Sequence, residues 1–482
     1  MLIHAPHRFR ALRHAERASP GGRAAEPARL GAVLVATGLA MFIVDLDFFA
    51  LNLAVPKMAE ELDTSATNMQ WVISGYMLAG GAFLIPGGRA ADIFGRKRML
   101  MIGIAIFGGS SLACGFAPNP EVLIGFRIVQ GLGCAILFPV TIAVVTNAFP
   151  EERRKRAIGN LYGLAAIATA AGPFVGGGVT ESVGWRWVFL LNVPIAAAAF
   201  ALTAYSVRES RDESAPRQID LLGLSAVVLG IAAVTFAVDK GESWGWGSLE
   251  TLGLIAAGLA VLTLFVAIER RVAHPLVDMT LFRNRPYVVV TLLGMLANTA
   301  FCVSTFASTL YLQQVEGYSP LDGGLIFLAA SGAMAIAGPL SGRLGERFDV
   351  PRLMAVSMVF GAVGLVVLST GPALGIYVAA LVAFGFGYGL GWTLTSVGTQ
   401  TVVPINQAGV ASGVTLAIVV GIAGLGVAVS AALIETLAGG GTTQGEAIEE
   451  ILRWVAIGSA VAAVVLVLAR GRAGARAPKP AE

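Results

Sequence analysis

Apolar residues in this chain do not alternate with polar ones. They come in fourteen long blocks, at about 30–55, 69–88, 99–117, 121–147, 157–181, 185–207, 220–239, 249–268, 287–314, 322–341, 353–370, 373–402, 408–437 and 450–469. A helix needs about 20 mostly apolar residues to cross the hydrocarbon of a bilayer, and each block is of that order. A membrane barrel would instead show short segments of alternating polarity. The expected fold is an all-α integral membrane protein with fourteen transmembrane helices.

The chain also repeats itself. "GRAADIFGRKR" begins at Gly88 and "GRLGERFDVPR" at Gly342, and Gly88, Arg89, Asp92, Phe94 and Arg98 match Gly342, Arg343, Glu346, Phe348 and Arg352 at one constant offset. Each copy follows the second helix of a six-helix set. This predicts two pseudo-symmetric bundles, helices 1–6 over residues 30–207 and helices 9–14 over 287–469. A linker over 208–286 adds two inserted helices, and 1–29 and 470–482 form polar tails. Two parallel six-helix halves describe a rocker-type transporter whose site lies between the halves near the midplane.

Composition agrees. Of 482 residues 56% are hydrophobic and 13% charged, too few charges to cover a water-soluble surface, so the lipid bilayer is part of the solvent. The 60 glycines suit closely packed membrane helices. All but five of the 33 Lys and Arg fall in the two tails or in alternate loops; the exceptions are Lys57, Arg127, Arg186, Lys240 and Arg453. Basic loops stay inside, which puts both termini in the cytoplasm, and this charge pattern does not point to nucleic acid. The 1–29 segment has six arginines and no apolar core, and reads as a cytoplasmic tail rather than a secretory leader. Cys114, Cys134 and Cys302 each lie in an apolar run without metal spacing and read as packing residues. No phosphate-cradling loop, catalytic triad or metal cluster is seen, so neither an enzyme nor a cofactor is expected.

Two acids stand out. Asp45 and Asp47 lie in "IVDLDFFALN", inside the first apolar block. A charge at the bilayer centre costs roughly 2.5–3.5 kcal/mol on insertion scales. Desolvation favours the neutral carboxyl, which makes such an acid a reversible proton carrier. Arg127 is a candidate partner: its depth in the fourth block differs from that of Asp47 in the first by about 4–5 Å at 1.5 Å per residue. Residues two apart on a helix point about 200° from one another, so the two acids cannot share one partner.

Five stretches resemble the major facilitator superfamily, in its fourteen-helix drug:proton antiporter branch: "LDFFALNLAVP" from Leu46, "GGRAADIFGRKR" from Gly87, "RIVQGLGCA" from Arg127, "GPFVGG" from Gly172 and "WRWVFLLNVP" from Trp185. The likeness is dense over 40–195 and thinner from 218 to 437. It implies that Asp47 is the proton-coupling acid, with Arg127 beside it and Asn52 at the family's asparagine. Asp45 is extra: it is the second candidate for the proton-coupling acid or, alternatively, a hydrogen-bonded structural acid. The resemblance further implies a conformational latch at Gly88, Asp92, Gly95, Arg96 and Lys97, in which an acid near cations and the positive end of a neighbouring helix ties two helices together. It also implies a tight seam at Gly172, Pro173, Gly176 and Gly177 that blocks ion leakage. Ala90, Ile93 and Phe49 depart from the family's usual leucine, arginine and nearby threonine.

The expected function is proton-coupled efflux, by alternating access, of small amphipathic or cationic compounds such as drugs. The proton gradient is the energy source, a plasma-membrane monomer is the expected form, and protons and a small-molecule substrate are the partners. Phe48, Asn52, Tyr76, Phe301, Tyr311 and Trp392 are candidate walls of the substrate cavity, since aromatic rings stack on lipophilic cations. Alternatives are export of one endogenous metabolite, peptide or lipid, and a non-transporting membrane sensor on the same fold.

Overall fold

The computed structural model describes residues 27–51, 54–64, 66–69, 71–211, 220–272, 275–277, 279–404, 407–439 and 441–474. Asn52 and the tail before residue 27 lie outside the described residues. Fourteen long helices carry the fold: α1 (Pro27–Ala50), α2 (Trp71–Phe94), α3 (Arg96–Gly115), α4 (Pro120–Ala148), α5 (Glu151–Ser182), α6 (Asn192–Ser206), α7 (Leu221–Trp244), α8 (Leu249–Glu269), α9 (Arg285–Leu310), α10 (Pro320–Arg347), α11 (Val350–Leu368), α12 (Leu374–Val402), α13 (Ala408–Gly439) and α14 (Gln444–Gly474). Among the described residues there is no strand. Thirteen spans are long and apolar enough to cross a membrane; α5 makes a fourteenth as two segments, Glu151–Gly172 and Phe174–Ser182, bent by 41° at Pro173. Proline has no N–H to give the helical ladder, and that is where such bends occur.

Local chemistry fixes where these helices start. Asn119, Ser248, Asn284, Ser319 and Asp349 each accept a bond from a first-turn N–H with their side chains. Helix α5 starts at Glu151, ahead of its apolar block, because Glu151 and Glu152 sit in the first turn where acids complement the helix dipole.

Helices α1–α6 form one half and α9–α14 the other. The inserted pair α7–α8 lies against α2 and α13, where Ile85, Val227, Phe265, Val277, Val410 and Val414 share one apolar cluster. The halves meet along α5–α10 and α2–α13. Both seams run toward the face that carries the basic α2–α3, α4–α5 and α10–α11 junctions, here the basic face. Glycines make this approach possible. A Cβ on Gly159 would strike the Gly338 carbonyl oxygen, and one on Gly338 would strike the Gly163 backbone. Nearer the opposite face, Gly172 and Gly176 pack against Phe49 and Ala50 of α1, inside their own half.

Candidate functional site

The first site is a buried charge cluster joining α1, α2, α4 and α6. Asp47 and Arg127 both have fully buried side chains, and Arg127 Nη1 donates to Asp47 Oδ2 at 2.5 Å. Asp47 Oδ1 accepts from Asn192 Nδ2 at 2.8 Å and from Gln130 Nε2 at 3.2 Å. Arg127 is held in turn: Nε donates to the Val72 carbonyl at 2.7 Å, Nη1 also to Gln130 Oε1 at 2.8 Å, and its Cζ lies 4.2 Å over the Tyr76 ring. Asn192 Nδ2 also reaches Ser111 Oγ, which donates to the Phe189 carbonyl at 2.9 Å. A buried ion pair is tolerable when its remaining donors and acceptors are satisfied; Asp47 accepts three bonds, while Arg127 Nη2 and Asn192 Oδ1 are buried without a hydrogen-bond partner among the described residues. Gln130, Asn192 and Ser111 were not singled out from the sequence. The available signal was their polarity inside apolar runs, with Gln130 one helical turn after Arg127.

Asp45 points the other way. It is half-buried and makes no hydrogen bond or ion pair among the described residues. Of the two readings of Asp45, the hydrogen-bonded structural acid does not describe it here: Asp47 has the bonds. Position decides this, because the 200° step between the two residues lets only one face Arg127.

The second site is the junction of the halves at the basic face. Asp92 Oδ1 accepts from Arg96 Nη2 at 2.8 Å, and Oδ2 accepts from Val410 N at 3.2 Å, in the first turn of α13. Gly88 lies directly against the Gly409 carbonyl. Gly95 and Lys97 serve a different contact. Gly95 has φ +107° and lets Glu209 close on the start of α3, where it accepts from Lys97 N at 3.0 Å and Arg98 N at 3.1 Å. Lys97 Nζ donates to the Ala204 carbonyl at 2.7 Å, so Lys97 ties α3 to α6 rather than one half to the other. The repeat supplies a second junction. Gly342 lies against the Lys155 carbonyl, Lys155 Nζ donates to the Gly345 carbonyl at 2.6 Å, and Arg156 Nη2 donates to Glu346 Oε2 at 2.7 Å.

Of the seam residues, Gly172 and Gly176 press on α1 two and three residues beyond Asp47, Pro173 marks the bend, and Gly177 is half-buried. The aromatic candidates divide. Phe48, Phe301 and Trp392 are half-buried; Phe301 stacks on Phe384 at 5.3 Å and Trp392 lies edge-on to Tyr162 at 6.0 Å. Tyr76 belongs under Arg127. Tyr311 is corrected as a cavity wall: it is buried, stacked on Tyr377 at 5.9 Å inside the second half. Its place in an apolar run gave no direction; it begins the π-helical turn Tyr311–Val315 that follows α9.

A bundle of two repeated halves, glycine-sealed at one face and holding an embedded ion pair, defines a multi-pass membrane transporter of the rocker type. Residues 37–428 match the Major Facilitator Superfamily, and the chain belongs to it. It is 35% identical over 394 residues to the Multidrug resistance protein Stp of Mycobacterium tuberculosis, covering 80% of this chain and 72% of that one. It is 33% identical over 406 residues to the Tetracenomycin C resistance and export protein of Streptomyces glaucescens, covering 82% and 75%. Among solved structures, the human organic anion transporter MFSD10 (TETRAN) shares the fold at TM-score 0.68 and 13% identity, over 91% of this chain and 99% of that one.

Proposed function

We propose that the protein exports small amphipathic or cationic compounds, drugs among them, in exchange for protons across the plasma membrane. The basic face and both termini lie in the cytoplasm in this reading. The observation that carries it is the pair of acids in α1, one locked to Arg127 and one left without a partner. A scaffold gains nothing from inserting them. The relatives named for drug resistance and export support the substrate class. The hydrogen bonds that join the halves run from Tyr162 toward the basic face, and in this reading they hold the halves together on that side.

The test is accumulation of ethidium, a fluorescent lipophilic cation, in everted membrane vesicles with an acid interior. Accumulation that collapses when a protonophore is added is expected. Accumulation indifferent to the gradient overturns proton coupling.

A further inference from the structure

We propose that the groove between α3 and α6 at the basic face holds an anionic phospholipid of the surrounding leaflet, its phosphate at Arg98 and Lys97 and an acyl chain along Ile102, Ala105 and Phe200. The inference concerns the outer wall of the first half and goes beyond the export reading above.

The groove has a volume of about 560 Å³. Its α3 wall is one stripe: Met101, Ile102 and Ala105 follow Arg98 at the spacings that share a helix face, and Arg98, Ile102 and Ala105 are exposed. Phe200 of α6 forms the facing wall and, like Ile102, is 38% exposed. At 1.5 Å per residue Ala105 lies roughly 10 Å deeper along α3 than Arg98. The groove is therefore charged at the bilayer surface and apolar below it, which is the order of a phospholipid from headgroup to chain. Helix α3 packs on α4 and α6, and α6 on α1 and α3, so both walls belong to one half.

The cations at the mouth are positioned but not cancelled. Glu209 is the acid of the groove, and backbone donors take both its oxygens: Oε1 accepts from Lys97 N and Ser210 N, each at 3.0 Å, and Oε2 from Arg98 N at 3.1 Å. Two of these are first-turn donors of α3, so the carboxylate is committed to that helix terminus. Lys97 Nζ donates to the Ala204 carbonyl at 2.7 Å, a neutral acceptor that leaves the ammonium charge in place. The Arg98 guanidinium is exposed and has no hydrogen bond or ion pair among the described residues. A guanidinium grips phosphate oxygens through two parallel N–H bonds, and a neighbouring ammonium adds a second point charge. Basic pockets between membrane helices take anionic headgroups in this way. A lipophilic cation, the class proposed for export, meets the wrong sign of charge here. The bound phosphate stands beside the Glu209 contacts that tie the start of α3 to the segment after α6, so the lipid braces α3 next to the Asp92–Arg96 pair.

The test is native mass spectrometry of the purified full-length protein with dioleoyl phosphatidylglycerol and dioleoyl phosphatidylcholine added at equal concentration. The unmodified protein is expected to retain phosphatidylglycerol in preference to phosphatidylcholine. Arg98→Gln is expected to lower that preference about fivefold, the effect of one cation beside an anionic headgroup. Ala105→Trp keeps every charge and fills the exposed floor, and is expected to reduce retention of both lipids. Equal retention of the two lipids by the unmodified protein, or a preference unchanged in Arg98→Gln, overturns the site. Retention unchanged in Ala105→Trp, or displacement of the lipid by glycerol phosphate alone, overturns the lipid as occupant in favour of a free phosphate. A dimer that Arg98→Gln dissociates overturns it in favour of a second copy of this chain. No gradient or dye is involved, so these outcomes are separate from failure of ethidium export.

Discussion

The two junctions between the halves are one design used twice. Gly88 meets the Gly409 carbonyl and Gly342 meets the Lys155 carbonyl, and both members of the second pair stand at the same offset from their counterparts in the first. The acids follow the same rule: Asp92 binds Val410 N, and its repeat mate Glu346 binds the side chain of Arg156, the repeat mate of Val410. The backbone approach is preserved; the electrostatics is not. Asp92 and Arg96 are almost wholly buried, whereas the side chains of Arg156 and Glu346 are 56% and 21% exposed. A duplicated bundle can therefore keep its shape through glycine while the strength of each latch drifts with the solvent exposure of its charges.

The largest effect is expected where the charge is buried. Asp92→Asn leaves Arg96 without its carboxylate and removes a negative charge from the first turn of α13. Breaking a buried pair costs about 3–5 kcal/mol, and the helix terminus adds about 0.3–1 kcal/mol. Cross-linking between cysteines placed at Ile85 and Val414, which share one cluster across this junction, is expected to fall steeply, and ethidium export with it. Unchanged cross-linking would mean that the glycine contact alone holds the junction. An intermediate effect is expected from the shared part. Gly88→Ala and Gly342→Ala each drive a methyl into a backbone carbonyl of the other half. Overpacking of this kind costs typically about 1–3 kcal/mol, which is roughly a fivefold to hundredfold loss of the closed state. The two variants should match one another in export rate. A large difference between them breaks the symmetry argument.

The sequence disclosed some of this and hid the rest for identifiable reasons. Fourteen spans were legible because lipid demands long unbroken apolar helices. The repeat was legible at Gly88 and Gly342, since a glycine forced by close approach leaves a mark in the sequence. The partner of Asp92 left none, because a backbone N–H such as that of Val410 can belong to any residue. Arg127 was found from depth along the helix, which sequence spacing measures. Gln130 and Asn192 depend on rotation about their helices, which the apolar runs around them do not record. The same loss of direction placed Tyr311 in the cavity and left the role of Asp45 open between proton coupling and structure.

The smallest effect is expected at the second latch. Glu346→Gln removes the charge from a pair that water and salt already screen, and exposed pairs are worth about 0–1 kcal/mol. The amide oxygen can still accept from Arg156, and the Lys155 bond to the Gly345 carbonyl is untouched. Export should stay within about fivefold of the unmodified protein. Raising the salt concentration should narrow that gap further, because screening weakens the native pair but not the neutral one. At Asp92→Asn the defect should be nearly independent of salt, since a buried charge is out of reach of the ions. If both variants respond to salt alike, the difference in burial is not what separates the two latches.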